Sequence, residues 1–177
     1  DTRNLSYRPV PLPPDTTLVI ADSSLRRSLV GSAYNDRRRD CEAAVAYFQA
    51  LDPSLRALRD ISPELYRTAE GKIPAEVFRH ARHVVEEIAR VDAAIKYLEN
   101  NDAENFGQLM FATHRSLRDL YEVSCPELDI LVDTAAGIEG CLGARLTGAG
   151  FGGCTVNLVR KQTVGDFIER LGKTYLE

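Results

Sequence analysis

An α+β fold, with helices packed on one face of a mostly antiparallel sheet, is what this 177-residue sequence predicts. Three observations lead there. Apolar residues recur at a three-and-four spacing through a long stretch after Pro74 and again after Asn101. A glycine-rich turn sits between two stretches of strand character. A short apolar run stands alone nearer the N-terminus, giving the order strand, several helices, two strands, helix.

The opening segment, Asp1 to Pro14, is punctuated by proline and ends in Pro11-Leu12-Pro13-Pro14, so residues 1–15 read as extended chain with no helix. Leu18-Val19-Ile20 follows as a short buried strand, closed by the polar turn Asp22-Ser23-Ser24. The pattern is helical from Asp36 to about Leu51, while Arg56 to Ala69 holds short helical pieces broken at Asp60 and Pro63. The longest helix starts beside Pro74: Val77, Phe78, Ala81, Val84, Val85, Ile88, Val91, Ile95 and Leu98 build one apolar stripe. Asn100-Asn101 stops it, and Phe106, Leu109, Met110, Leu117 and Leu120 repeat the pattern in a second long helix. Ser124-Cys125-Pro126-Glu127 has the form of a capping box and predicts a third helix through Leu128, Leu131, Val132, Ala135 and Ala136. Val164, Phe167, Ile168 and Leu171 mark a last one.

The turn itself is Leu146-Thr147-Gly148-Ala149-Gly150-Phe151-Gly152-Gly153-Cys154-Thr155. Gly148, Gly150 and Gly153 fit GxGxxG, and the outer glycines have Walker A spacing, but both readings fail on context. Cys154 stands where a phosphate loop needs lysine, and Cys154 to Val159 alternates as a strand where a dinucleotide loop would open a helix. The motif is therefore strand, glycine turn, strand. A tight hairpin whose glycines only supply positive φ explains part of it, yet four glycines around an aromatic also let backbone approach a ligand.

Gly143 to Cys154, GARLTGAGFGGC, resembles a signature motif of the galactokinase branch of the GHMP small-molecule kinases. Tyr121-Glu122-Val123-Ser124-Cys125-Pro126-Glu127-Leu128-Asp129 and the run from Ser32 to Glu42 are similar to two further segments of that family, in the same order. The resemblance covers residues 1–177 and implies the ferredoxin-like C-terminal domain of these kinases, with the family's last strand missing and its N-terminal, ATP- and sugar-binding half absent. It implies an ATP-dependent phosphorylation of galactose to galactose 1-phosphate in an intact enzyme, with no catalytic residue in this fragment. ATP and Mg2+ are implied for that enzyme, none of them bound by this chain alone. N-acetylgalactosamine phosphorylation and a non-catalytic galactose-sensing module are the alternatives, the second disfavoured by the intact turn. Implied partners are galactose, ATP and the missing half, with self-association of the fragment through an unfinished sheet edge.

Composition excludes other classes. A net charge of −4 offers no basic field for nucleic acid, and no apolar run approaches the roughly 18 residues of a membrane span. Cys41, Cys125, Cys141 and Cys154 form no CxxC pair, which favours reduced thiols and a cytoplasmic setting over zinc or disulfides.

Tyr34, just ahead of the arginine-rich helix, reads from pattern alone as a half-buried packing residue. The resemblance instead implies that it touches the sugar, with Arg26 near the active site although Arg27 adjoins it, and that Thr147, Gly148, Ala149, Gly150, Phe151, Gly152 and Gly153 face the active-site cleft. Of Arg37, Arg38 and Arg39, at least two belong to a solvated helix face. His80, His83 and His114 are too few and too separated to cage a metal and are expected at the surface.

Overall fold

The computed structural model describes residues 3–26 and 30–176. Its described elements run β1 (Thr16–Asp22), α1 (Val30–Leu51), a 3-10 turn (Leu58–Asp60), α2 (Pro63–Arg67), α3 (Ala75–Glu99), α4 (Ala103–Asp119), α5 (Pro126–Ala136), β2 (Cys141–Thr147), β3 (Cys154–Arg160), a second 3-10 turn (Lys161–Thr163) and α6 (Val164–Leu176). Local chemistry sets several boundaries. Ser62 accepts from the Leu65 amide ahead of Pro63, and Asp102 accepts from the Asn105 amide at the start of α4. No helix among the described residues is long and apolar enough to cross a membrane, and the four cysteines are free thiols.

The three strands lie in the order β1-β3-β2, antiparallel throughout. Thr155, Asn157 and Val159 of β3 share a face with Val19 and Ala21 of β1 and with Ala144 and Leu146 of β2. Onto that face α5 sets Leu131, Val132 and Ala135, and α6 sets Phe167 and Leu171, closing one core. A second core, purely helical, joins Ala44 and Phe48 of α1, Tyr66 of α2, and Ala81 and Val85 of α3. Large side chains sealed this fully each stabilise by roughly 1.5–3 kcal/mol.

The expected buried strand is only half buried. Leu18 and Ile20 face away from α5 and α6 and are 44% and 58% exposed, because β1 is an edge strand whose second face carries no tightly packed helix. Leu18 instead lines a groove of about 390 Å³ with Val10 and Leu12 of the opening segment and Val91 and Ile95 of α3.

Helix α4 links the two cores by lying along β2 backbone to backbone. Gly107 and Gly143 face each other so closely that a Cβ on Gly107 would stand 2.0 Å from the Leu142 carbonyl oxygen. This contact covers the outer edge of β2, which would otherwise expose unpaired amides.

The expectation of surface histidines is wrong for all three: His80, His83 and His114 are 0%, 5% and 1% exposed. Each lies on a helix that also carries an apolar stripe, and each has a side-chain hydrogen-bond partner 15 or more positions away. His83 binds the Ser116 hydroxyl of α4 through Nδ1 at 2.8 Å and stacks on Tyr121 with ring centroids 4.6 Å apart. Burial pushes its pKa down to about 4, against the opposing charge of Glu87. The folded chain thus resists a proton that the unfolded chain takes up near 6.5, so stability is complete above that value and drains as the pH falls toward 4. Unfolding free energy should drop by on the order of 2–3 kcal/mol from this residue between pH 7 and 4.5. Denaturant titrations of the wild type and His83→Asn check it: the variant's loss over that interval should be smaller by that amount, and parallel pH profiles would refute the assignment.

Candidate active site around the glycine turn

The last pair of β2 and β3 is Thr147 opposite Cys154, so Gly148 to Gly153 form a six-residue connection, far more than a minimal hairpin. Five of the six adopt positive φ: Gly148 at 84°, Gly150 at 82°, Phe151 at 59°, Gly152 at 121° and Gly153 at 85°. Glycine supplies that conformation at no steric cost; Phe151 adopts it against its side chain's preference and is held by docking on both sides.

On one side the Phe151 amide donates to the Val123 carbonyl at 2.7 Å. On the other, the Gly153 amide donates to the Leu25 carbonyl at 3.3 Å and the Ser23 amide to the Gly153 carbonyl at 2.8 Å. The Tyr175 hydroxyl of α6 in turn donates to the Ser23 carbonyl at 2.8 Å. Three remote segments therefore fix a turn that local sequence leaves loose.

A cavity of about 170 Å³ opens between the turn and the helices, lined by Gly148, Ala149 and Phe151 on one side and by Tyr34, Arg37, Tyr121 and Val123 on the other. Tyr34 and the turn, 114 or more positions apart in the sequence, thus face one space. Tyr34 does not precede its helix as expected. It lies in the second turn of α1, which starts at Val30 rather than near Asp36, and it is 55% exposed, with its other flank on a larger cavity of about 700 Å³. Arg26 is exposed and follows Leu25, whose carbonyl holds Gly153, but it does not line the small cavity; Arg27 lies outside the described residues.

The three consecutive arginines divide. Arg38 pairs with Glu42 and Arg39 with Asp36 on the exposed face of α1. Arg37, only 12% exposed, turns inward, donates from Nε to the Tyr121 carbonyl at 2.5 Å and reaches Glu122. Glu122 itself has φ of 54° and is gripped by Arg79 at 2.7 Å and by His80 Nε2 at 3.3 Å. Burial works against its ionisation, and the His80 hydrogen bond with the Arg79 and Arg37 charges outweighs that, holding the carboxyl below its ordinary range. Sequence reasoning missed this clasp, which presents Val123 to the turn.

Ser124 does not cap α5. The cap position is Cys125, with no side-chain bond, and the Ser124 hydroxyl donates to Asp129 at 2.6 Å. Asp40, Glu76 and His80 bring ligand atoms within 4.8 Å of one another. His80 Nδ1 lies 2.7 Å from Asp40 and the Arg37 guanidinium 4.0 Å from the same oxygen, so two of the three already have side-chain partners. Mg2+ requires clustered oxygen ligands, and among the described residues the cavity beside the turn is lined by no carboxylate; these residues do not fit that ion.

Residues 94–176 match the family described as GHMP kinases C terminal. The chain is similar to the galactokinase of Roseiflexus sp. (strain RS-1), with 47% identity over 99% of this chain and 45% of that protein. It is similar to the Homo sapiens galactokinase, with 43% identity over 99% of this chain and 44% of that protein. Among solved structures it resembles Lactococcus lactis galactokinase complexed with galactose, with a TM-score of 0.88 and 37% identity over 94% of this chain and 43% of that one. L. major mevalonate kinase in complex with R-mevalonate shares the fold, with a TM-score of 0.56 and 23% identity over 94% of this chain and 40% of the other. This chain spans less than half the length of each of these proteins.

Proposed function

We propose that this chain, whose residues 94–176 match the C-terminal region of the GHMP kinases and which is similar to galactokinases over nearly its whole length, forms one half of a galactokinase. The full-length enzyme transfers the γ-phosphoryl group of ATP to the anomeric hydroxyl of galactose. The observation that carries this reading is the convergence of Tyr34 and the glycine turn on one cavity.

Phosphoryl transfer asks a protein for positioning and charge neutralisation more than for covalent chemistry. This half supplies positioning. A hydroxyl such as that of Tyr34 can both donate to and accept from a sugar hydroxyl, while Gly148, Ala149 and Phe151 shape the facing wall, the first two with little or no side chain. Arg26 directly follows Leu25, whose carbonyl holds the Gly153 amide. Arg37 is engaged by backbone carbonyls and steadies the site from behind. Among the described residues the cavity lining holds no carboxylate or histidine to take the proton released from the sugar, so the general base and the residues that hold ATP and its Mg2+ belong to the enzyme's other half. That half docks against the exposed β1 face, where Leu18 and Ile20 await cover; without it the same face favours self-association.

Steady-state kinetics of the full-length protein test the reading. Galactose-dependent ADP release should be readily measured, and its absence would overturn the proposed function. Tyr34→Phe removes one hydroxyl whose hydrogen bond is worth roughly 0.5–1.5 kcal/mol, so the galactose KM should rise several-fold with the ATP KM nearly unchanged. An equal or larger effect on ATP would move Tyr34 out of the sugar site.

A further inference from the structure

His114 is sealed inside the molecule at 1% exposure, and neither its place on α4 nor packing alone explains a histidine there. A buried imidazole must satisfy both nitrogens. Nδ1 accepts the Leu146 amide of β2 at 3.2 Å, so the ring proton sits on Nε2, which donates to Asp129 Oδ1 at 3.1 Å. The same Asp129 oxygen accepts the Ser124 hydroxyl at 2.6 Å. Ser124 follows Val123, whose carbonyl accepts the Phe151 amide at 2.7 Å. The bonds form a closed circuit from Leu146, two residues before Gly148, to Phe151 at the crest of the turn.

Each member meets a need the others create. The Leu146 amide points off the sheet edge toward α4 and would be an orphan donor without His114. Asp129, in the first turn of α5, offers one oxygen to two donors, the His114 ring and the Ser124 hydroxyl. Burial pushes the His114 pKa below the ordinary histidine range, with the Asp129 and Asp133 charges opposing and that of Arg118 assisting, which keeps the ring in the neutral form the circuit needs.

We propose that His114 is a positioning residue: through Leu146 on one nitrogen and Asp129–Ser124 on the other, it fixes the glycine turn as the wall of the sugar cavity. The cavity's role rests on the galactokinase reading above; the fixing of the turn does not. A mere space-filler would be replaceable by any side chain of similar volume.

The test compares His114→Leu with His114→Asn in the full-length protein. Leucine fills the space and offers no acceptor, whereas asparagine can place Oδ1 where Nδ1 stood and keep the Leu146 bond. We expect His114→Leu to raise the galactose KM by about tenfold while leaving the ATP KM within about twofold, and His114→Asn to recover most of that loss. Hydrogen–deuterium exchange supplies a readout without substrate: amides 146–151 should exchange faster in His114→Leu than in His114→Asn, with the helical core around Phe48 and Tyr66 unchanged. Ser124→Ala, a smaller lesion, should move the same amides in the same direction and serves where His114→Leu does not fold. Equal behaviour of the leucine and asparagine variants, a uniform rise in exchange across the chain, or an unchanged Ser124→Ala would each overturn the proposal. A wild type that ignores galactose would overturn the galactokinase reading, leaving the exchange pattern to decide the role of His114.

Discussion

Gly150→Val in the full-length enzyme is expected to abolish activity while leaving the helical content nearly intact. Gly150 has φ of 82°, and a Cβ there would stand 2.0 Å from the Val123 carbonyl oxygen and 2.9 Å from the Val123 carbonyl carbon. Two costs combine: backbone strain of about 1–3 kcal/mol for a β-branched residue at positive φ, and overpacking of a similar size against atoms that belong to main chain. The turn escapes both only by leaving Val123, which breaks the adjacent Phe151–Val123 hydrogen bond and opens the cavity wall. Displacement on the scale of an ångström at a reacting site costs about a hundredfold in rate, so kcat/KM should fall by at least that much. Circular dichroism should change little, because the lesion lies in a connection and not in an element. Wild-type kinetics in Gly150→Val would reduce the turn to a linker. The sequence alone suggests that a side chain here blocks the cleft; the geometry shows that it first collides with the protein's own backbone.

Gly107→Ala should destabilise the folded chain, although helix propensity predicts the opposite sign. Exchanging glycine for alanine inside a helix normally gains up to about 1 kcal/mol. Here the new methyl carbon would meet the Leu142 carbonyl oxygen at 2.0 Å and its carbon at 2.4 Å, and the reciprocal contact from Gly143 meets the Gly107 backbone at 2.3 Å. Neither partner is a flexible side chain, so α4 must lift off β2. The lift also stretches the His114–Leu146 bond and uncovers the strand edge. We expect a net loss of about 1–3 kcal/mol for Gly107→Ala and failure to fold for Gly107→Leu. Denaturant unfolding checks the sign, with Gly172→Ala as control: it lies in α6 with nothing within 4 Å and should be neutral or stabilising. A stabilised Gly107→Ala would show that α4 and β2 are less tightly apposed than described.

Much of the candidate site is legible one segment at a time. The clustering of Gly148, Gly150, Gly152 and Gly153 announces a backbone with positive φ, and the alternation after it announces β3. Tyr34 is legible through its motif, but its helix is not, because the helical pattern shows only from Asp36 while α1 begins at Val30. The histidines are illegible for a different reason. His114 lies four residues after Met110 and three before Leu117, squarely on the apolar stripe, so its burial follows from a period that the residue's polarity obscures. Its partners Leu146 and Asp129 stand 32 and 15 positions away, beyond any local pattern. Ser124 misleads similarly: a nearby Glu127 suggests a cap, whereas the hydroxyl turns to Asp129, which His114 already holds in place.

The sequence by itself determined which segments are helix and strand and where the turn needs glycine, because hydrophobic period and backbone sterics act within a few residues. Only the tertiary structure decided where those elements meet: α4 against the edge of β2 through paired glycines, Arg37 turned inward while its two neighbours stay in water, and Val123 presented to Phe151 by the clasp at Glu122. Those outcomes depend on which buried donor finds which acceptor across tens of residues. That matching is settled by burial, which makes an unpaired polar group costly, and it is written in no single stretch of the chain.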